Sequence, residues 1–281
     1  MEEIWHVFTH AFLDTVQTLP LLYLAYLLVE YIERHATKRL VRALTKHKGL
    51  GVPLGALAGS IPQCGLPVAA AKLYANRVIT SGTLIALLLS VSDEAVPMLI
   101  AQQRYDTLLP LLISKFIIGV LGGLIATVFS RGRQTHVQQA AAGPHEDHTD
   151  HHIHNIFLCA LKHTLLMFLF IWGASILIGL IIHFVGEDQI ASLLLNGSGF
   201  QPLITGLFGF IPSCAASVLL TELYISGSLS FGAMLGGLCT ATGVGILVLF
   251  RANKNILQNI KIMVFLYGIG VLAGIAADWI F

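Results

Sequence analysis

The sequence predicts an all-α polytopic membrane protein with an inverted-topology internal repeat. Hydrophobic residues make up 56% of its 281 positions and charged residues only 11%, whereas a soluble protein carries about 25% charged residues. The apolar residues form runs long enough to cross a bilayer, and one motif containing proline and cysteine occurs in both halves of the chain. The charges sum to +1, and most of them lie in the segments between the apolar runs rather than on one basic face, so we expect membrane lipid as a partner and no nucleic acid.

The repeated motif organises the chain. Gly59-Ser60-Ile61-Pro62-Gln63-Cys64 recurs, 150 residues later, as Gly209-Phe210-Ile211-Pro212-Ser213-Cys214. Proline removes a backbone donor and ends the preceding helix, and a broken backbone persists within lipid only where protein or a water-filled cavity covers it. Paired breaks at matching positions of two repeats are typical of a transporter's binding site near the bilayer midplane. We predict helix breaks at Pro62, Pro67, Pro97 and Pro212.

Each half is expected to contain three full spans and one Pro-broken re-entrant hairpin, which gives about ten helices in all. The predicted full spans are residues 8–32, 78–101 and 107–130 in the first half and 156–183, 228–250 and 256–280 in the second. The predicted hairpins are residues 51–75 and 202–226. The predicted domains are membrane repeat 1 at 1–130, a cytoplasmic His-rich linker at 131–155, and membrane repeat 2 at 156–281.

The distribution of basic residues decides between a parallel and an inverted repeat. Residues 33–50 contain six Lys and Arg residues, whereas the equivalent segment, residues 185–201, contains none. Because basic loops stay in the cytoplasm, we expect the two segments on opposite sides of the membrane, as an inverted repeat requires. Both termini then lie on the outer side of the plasma (inner) membrane, opposite the cytoplasm. The acidic start Met1-Glu2-Glu3 predicts no cleavable signal peptide.

Two adjacent carboxylates, Asp93 and Glu94, interrupt the apolar segment 78–101. Acidic groups at membrane depth are costly and mark ion or proton sites. With the hydroxyls of Ser90 and Ser92 they predict a site for a metal ion or a proton. The simpler alternative is an acidic helix end near the outer surface. The matching stretch of the second half offers hydroxyls without acids, and its candidate ligands are Thr240 and Thr242.

The two motif cysteines form a second candidate metal site. Cys64 and Cys214 would face one another across the repeat axis if both hairpin tips reach the centre. Their neighbours Gln63 and Ser213 would then join them. Thiolate binds soft and borderline metals, but a small residue also suits close helix packing in membranes. The sequence leaves both interpretations open.

The segment between the two repeats is rich in imidazole. Its histidines from residue 145 onwards are His145, His148, His151, His152 and His154. Imidazole and carboxylate groups at this density bind divalent metals such as zinc. Their spacing is irregular, so we expect an accessory, metal-collecting loop rather than a structural site. The alternative is a solvated polar linker.

The motifs also carry a family resemblance. The chain resembles the ten-helix heavy-metal exporters in its twin Gly-x-Ile-Pro-x-Cys motifs, in the Leu-Tyr pairs Leu73-Tyr74 and Leu223-Tyr224, and in Ser92-Asp93-Glu94-Ala95. Those bacterial and archaeal membrane proteins are also described as arsenic-efflux-permease-like or as manganese transporters. The resemblance covers both halves, although Ala215 follows the second motif cysteine where glycine follows the first. It implies a plasma-membrane secondary transporter of a metal or metalloid.

We therefore predict a secondary-active transporter of a divalent transition metal, an exporter coupled to protons by alternating access. The oxygen ligands of Asp93 and Glu94 suit manganese, and the alternative cargo is an arsenical, another thiol-seeking solute or an anion. The sequence contains no phosphate-binding loop, metalloprotease motif or nucleophile elbow, so we expect no enzyme; the rival is an intramembrane enzyme that uses Asp93 and His163. We expect no cofactor besides the transported metal ion, and a homo-oligomer stays open.

Overall fold

The computed structural model describes residues 50–62, 65–92, 94–130, 200–211 and 214–280, together with isolated helical positions between 20 and 27 and between 161 and 172. Within these residues the secondary structure is helical and contains no strand, which confirms the all-α prediction for this part of the chain. The helices are α1 (Gly51–Gly59), α2 (Gly65–Ala75), α3 (Ser81–Ser90), α4 (Ala95–Ala101), α5 (Tyr105–Ser130), α6 (Gln201–Phe208), α7 (Cys214–Ile225), α8 (Phe231–Thr240), α9 (Gly245–Ala252) and α10 (Ile256–Ile280).

Within the described residues, four helical segments are long and apolar enough to cross a membrane. They are Ser81–Ala101, Tyr105–Phe129, Phe231–Ala252 and Ile256–Ile280. By length and composition, these segments confirm the four spans that the sequence predicted here and identify a polytopic membrane protein. The spans predicted at 8–32 and 156–183 lie mostly outside the described residues.

The helices of the two halves correspond in order and length. Helices α6 to α10 begin 149 to 151 residues after α1 to α5, respectively. The correspondence extends to the helix caps. Thr80 precedes α3 and its hydroxyl accepts a hydrogen bond from the Thr83 N–H at 3.2 Å, while Ser230 precedes α8 and accepts one from the Ala233 N–H at 3.0 Å. Such hydroxyls satisfy helix N–H groups that have no backbone partner, so the duplicated sequence folds into duplicated helices.

The described part of each half contains two breaks, where one helix ends and the next begins within a few residues. In the first half, residues 60–64 separate α1 from α2, and residues 91–94 separate α3 from α4. In the second half, residues 209–213 and 241–244 separate the corresponding helices. The predicted hairpin segments 51–75 and 202–226 and the long segments Ser81–Ala101 and Phe231–Ala252 therefore each consist of two short helices.

Only one of the described prolines lies in a break as predicted. Pro62 belongs to the 60–64 break, but Pro67 and Pro97 are each the third residue of a helix, α2 and α4. This corrects the prediction that Pro67 and Pro97 mark breaks. The physical reason is that proline is tolerated in the first turn of a helix, where its missing N–H would have no partner. Pro212 lies outside the described residues.

Glycine allows the two breaks of each half to approach one another. A methyl group at Gly59 would collide with the carbonyl oxygen of Leu87, and a methyl group at Gly209 would collide with that of Gly237. The backbones of α1 and α3, and of α6 and α8, are therefore in direct contact. This packing brings the Pro-x-Cys break of each half to the C-terminal end of α3 or α8, next to the break in its long segment.

The two halves pack against each other in a reciprocal way. Helix α2 packs against α9, and α7 packs against α4, so the helix after each Pro-x-Cys motif lies on the broken segment of the other half. A methyl group at Gly245, where α9 begins, would lie only 2.6 Å from Cβ of Pro67 in α2. Helices α3 and α8 also contact each other, and Leu88 and Leu238 belong to one shared hydrophobic core.

Candidate functional site

Buried polar side chains mark the breaks in the two long segments. Within a membrane, the backbone groups of such breaks must be satisfied by protein, water or a bound ion. The polar residues at these breaks are each 6% exposed or less, and they are Ser90, Ser92, Glu94, Thr240 and Thr242. All five are candidate ligands that the sequence predicted.

In the first half, the two serine hydroxyls are engaged with backbone carbonyls. Ser90 Oγ lies 2.9 Å from Ala86 O, one turn earlier, and 3.2 Å from Lys115 O on α5. Ser92 Oγ donates to Ser90 O at 3.2 Å. Glu94 is the N-cap residue of α4, and its buried side chain makes no capping hydrogen bond.

In the second half, the two threonines differ. Thr240 Oγ1 lies 2.7 Å from Gly206 O and 2.9 Å from Gly237 O, and it ties α8 to α6 as Ser90 ties α3 to α5. Thr242 is 1% exposed, and its hydroxyl has no hydrogen-bond partner among the described residues. A buried hydroxyl without a partner is unusual in a native protein and calls for a bound water or ion. Thr242 is therefore the stronger ligand candidate of the second half.

The structure shows a site residue that the sequence analysis missed. Lys115, in the middle of α5, is completely buried. Its ammonium donates hydrogen bonds to the carbonyl oxygen of Val91, just after α3, and to that of Leu238, in the last turn of α8. The sequence could have revealed Lys115, because this lysine is the one charged residue in the apolar run 108–129. An ionisable residue inside a span is a functional-site hypothesis by default.

One ammonium thus joins the ends of two corresponding helices. The last carbonyl groups of a helix lack intrahelical partners and carry partial negative charge, so a cation stabilises them. The buried thiol of Cys239 lies within electrostatic reach of the Lys115 ammonium. The region where the halves meet therefore combines one positive charge with carbonyl, hydroxyl and carboxylate oxygens.

Several predicted ligands lie outside the described residues, namely Gln63, Cys64, Asp93, Ser213, His145, His148, His151, His152 and His154. Cys214 begins α7, and its side chain is likewise outside the described part. Where side chains are described, no three His, Cys, Asp or Glu residues are placed to hold a metal ion together. The ligands that the described residues offer are therefore the oxygens at the breaks.

The sequence profile of a known family matches residues 2–190, which is more than half of the chain. That family is described as "Putative, 10TM heavy-metal exporter". The matched range includes the first Pro-x-Cys motif, the acidic pair and Lys115, and it ends before the second motif. Comparisons with curated proteins and with solved structures gave no match. Because the match covers residues 2–190 of 281, the chain belongs to this family.

Proposed function

We propose that the chain is a secondary-active transporter that exports a divalent transition metal in exchange for protons, by alternating access in the plasma membrane. Its family supports heavy-metal export in general. The observation that carries the finer proposal is the pair of buried breaks in the long segments. These breaks place carbonyl, hydroxyl and carboxylate oxygens at the ends of corresponding helices of the two halves.

The available oxygens favour a divalent cation of the manganese type. Glu94 supplies a buried carboxylate at one break, and Thr242 supplies, at the other, a hydroxyl with no hydrogen-bond partner among the described residues. Manganese and similar ions prefer carboxylate, carbonyl and water ligands. Asp93, adjacent to Glu94 in the sequence, would complete the acidic part of the site. A carboxylate binds either a proton or a metal ion, so such a site exchanges one for the other.

Alternating access would use an inverted relation between the repeats 1–130 and 156–281. Helices α2 and α7 each pack on the broken segment of the opposite half, so rocking one half against the other would loosen one of these contacts and tighten the other. The basic segment 33–50 and the segment 185–201, which has no Lys or Arg, support opposite orientations of the halves in the membrane.

The test is metal efflux from cells that express Glu94→Gln or Asp93→Asn. Both substitutions remove a negative charge and keep the shape of the side chain, and we expect efflux of manganese or zinc to fall at least about tenfold, which is ~1.4 kcal/mol. The matched control is Asp106→Asn, because Asp106 is an exposed acid in the first turn of α5. That variant should transport like the wild type. Unchanged efflux in both Glu94→Gln and Asp93→Asn, at equal amounts of folded protein, would refute the proposed site.

A soft or anionic cargo is the second candidate. The buried ammonium of Lys115 is the observation that favours an anion, whereas an arsenical or another thiol-seeking solute would bind Cys64 and Cys214. Cells that express the Cys64→Ser/Cys214→Ser double variant, challenged with manganese and with arsenite in turn, separate these cargoes. We expect manganese efflux to persist in this variant. If wild-type cells export arsenite but not manganese, and the double variant loses arsenite export, the cargo is an arsenical and not a divalent metal.

A further inference from the structure

The ammonium of Lys115 occupies a position that suits a free cation. Two of its acceptors are the carbonyl oxygens of Val91 and Leu238, and each lies at the C-terminal end of a helix that stops inside a long apolar segment. In discontinuous membrane helices, such C-terminal ends and the unwound carbonyls beside them coordinate Na⁺ or protons. The ligand chemistry around Lys115 is therefore that of an alkali-ion site.

Both halves supply a helix end to this position, but only one half supplies a lysine. The position in α10 that corresponds to Lys115, 151 residues later, is Leu266. Leu266 is as completely buried as Lys115. A single positive charge thus serves the ends of two corresponding helices. One monovalent cation held between the halves would bind in the same way. A duplicated charged site would instead have one charged residue in each half.

The break after α8 offers a further buried oxygen. Thr242 follows α8 by two residues, and its hydroxyl makes no hydrogen bond within the described part of the chain. Carbonyl and hydroxyl oxygens are the usual ligands of Na⁺ and K⁺ in membrane proteins, and the same atoms accept hydrogen bonds from an ammonium.

We propose that Lys115 is a tethered cation that fills a monovalent-cation site between the two halves of the protein. The wild-type protein then joins these helix ends without bound Na⁺ or K⁺. Truncation of the side chain opens the site to a free alkali ion or to ammonium. This inference adds to the proposed function without depending on it, because its test measures stability and not transport.

The test compares the thermal unfolding of the purified full-length wild type with that of Lys115→Ala. Both proteins are studied at one ionic strength in choline, sodium, potassium or ammonium chloride, and choline is the reference because it is too large for the site. In choline, Lys115→Ala should unfold at a lower temperature than the wild type, because two buried carbonyl groups lose their partner. At least one small cation should raise its Tm saturably, by roughly 5 °C or more. The wild-type Tm should not distinguish the salts.

Two further variants serve as controls. Lys72→Ala removes an exposed lysine of α2 and should unfold like the wild type in every salt. Lys115→Met fills the space of the lysine with an uncharged, flexible side chain, so it should stay destabilised in all four salts.

The proposal is overturned if sodium, potassium and ammonium stabilise Lys115→Ala no more than choline does. It is also overturned if Lys115→Ala fails to accumulate in membranes prepared with any of the small cations, because a free ion then does not replace the ammonium. A rise in the Tm of Lys115→Met in these cations would also contradict the proposal, since the methionine side chain leaves no room for an ion.

Discussion

The carbonyl oxygen of Leu238 in α8 lies 2.8 Å from the ammonium nitrogen of Lys115 in α5. The two residues belong to different halves of the chain, and both are buried. Their hydrogen bond therefore ties the first half to the second at the level where α3 and α8 end. Any movement that separates α5 from α8 at this point has to break the bond.

The two glycines that begin the repeated motifs should both be needed for stability. A methyl group at Gly59 or Gly209 collides with a backbone carbonyl oxygen, which cannot turn aside as a side chain would. We expect Gly59→Ala and Gly209→Ala each to lower the free energy of unfolding by about 1–3 kcal/mol, measured by thermal unfolding of the purified protein. The control is Gly268→Ala in α10, where the added methyl group would meet, within 4 Å, no described atom beyond its own stretch of helix. Alanine favours helix, so a loss of stability in Gly268→Ala equal to that in Gly59→Ala would contradict the collision.

Substitution of Thr240 and Thr242 by valine should have different effects, although the sequence treats the two threonines alike. Thr240→Val removes the hydroxyl bonded to Gly206 O and should cost about 1 kcal/mol of stability. Thr242→Val removes a buried hydroxyl with no partner in the described residues, so stability should be unchanged or higher while the apparent affinity for the metal falls. Thermal unfolding and the metal dependence of efflux measure the two effects. If Thr242→Val unfolds at a lower temperature than the wild type and transports normally, the Thr242 hydroxyl has a structural role and is not a metal ligand.

The orientation of the repeats is accessible to chemical labelling. The segment 33–50 carries six basic residues and the segment 185–201 none, so the positive-inside rule places the first in the cytoplasm and the second outside. Single cysteines introduced at residues 190–198 should react with a membrane-impermeant maleimide added to intact cells. Cysteines at residues 38–48 should react only after the cells are opened. The reverse pattern would disprove the predicted topology.

The His-rich linker should affect affinity more than rate. Its imidazoles and carboxylates would raise the local concentration of metal at the cytoplasmic side of an exporter. Deletion of residues 143–154 should therefore raise the zinc concentration needed for half-maximal efflux and leave the maximal rate nearly intact. A deletion of equal length, residues 131–142, keeps the five histidines between 145 and 154 and removes only His136, so it controls for linker length. Complete loss of transport in the His-rich deletion alone would show that the linker is part of the main site.

The sequence by itself determined the spans and the duplication. Hydropathy over the thickness of a bilayer depends on local composition, so the four spans in the described residues were predicted to within three residues of their observed ends. The identities at an offset of 150 residues reappear as corresponding helices, because the same local sequence makes the same helix starts and breaks. The acidic residue Glu94 was also predictable, since a carboxylate inside an apolar segment is visible without any knowledge of its neighbours.

Only the tertiary structure decided which groups meet at the breaks. The acceptors of Lys115, Val91 and Leu238, are 24 and 123 residues away from it, and no sequence window contains all three. The packing of α2 on α9 and of α7 on α4 also depends on how the halves dock. In lipid, each unsatisfied backbone group costs several kcal/mol, so the arrangement that pairs the most buried groups is favoured. That pairing is a property of the whole fold and not of any one segment.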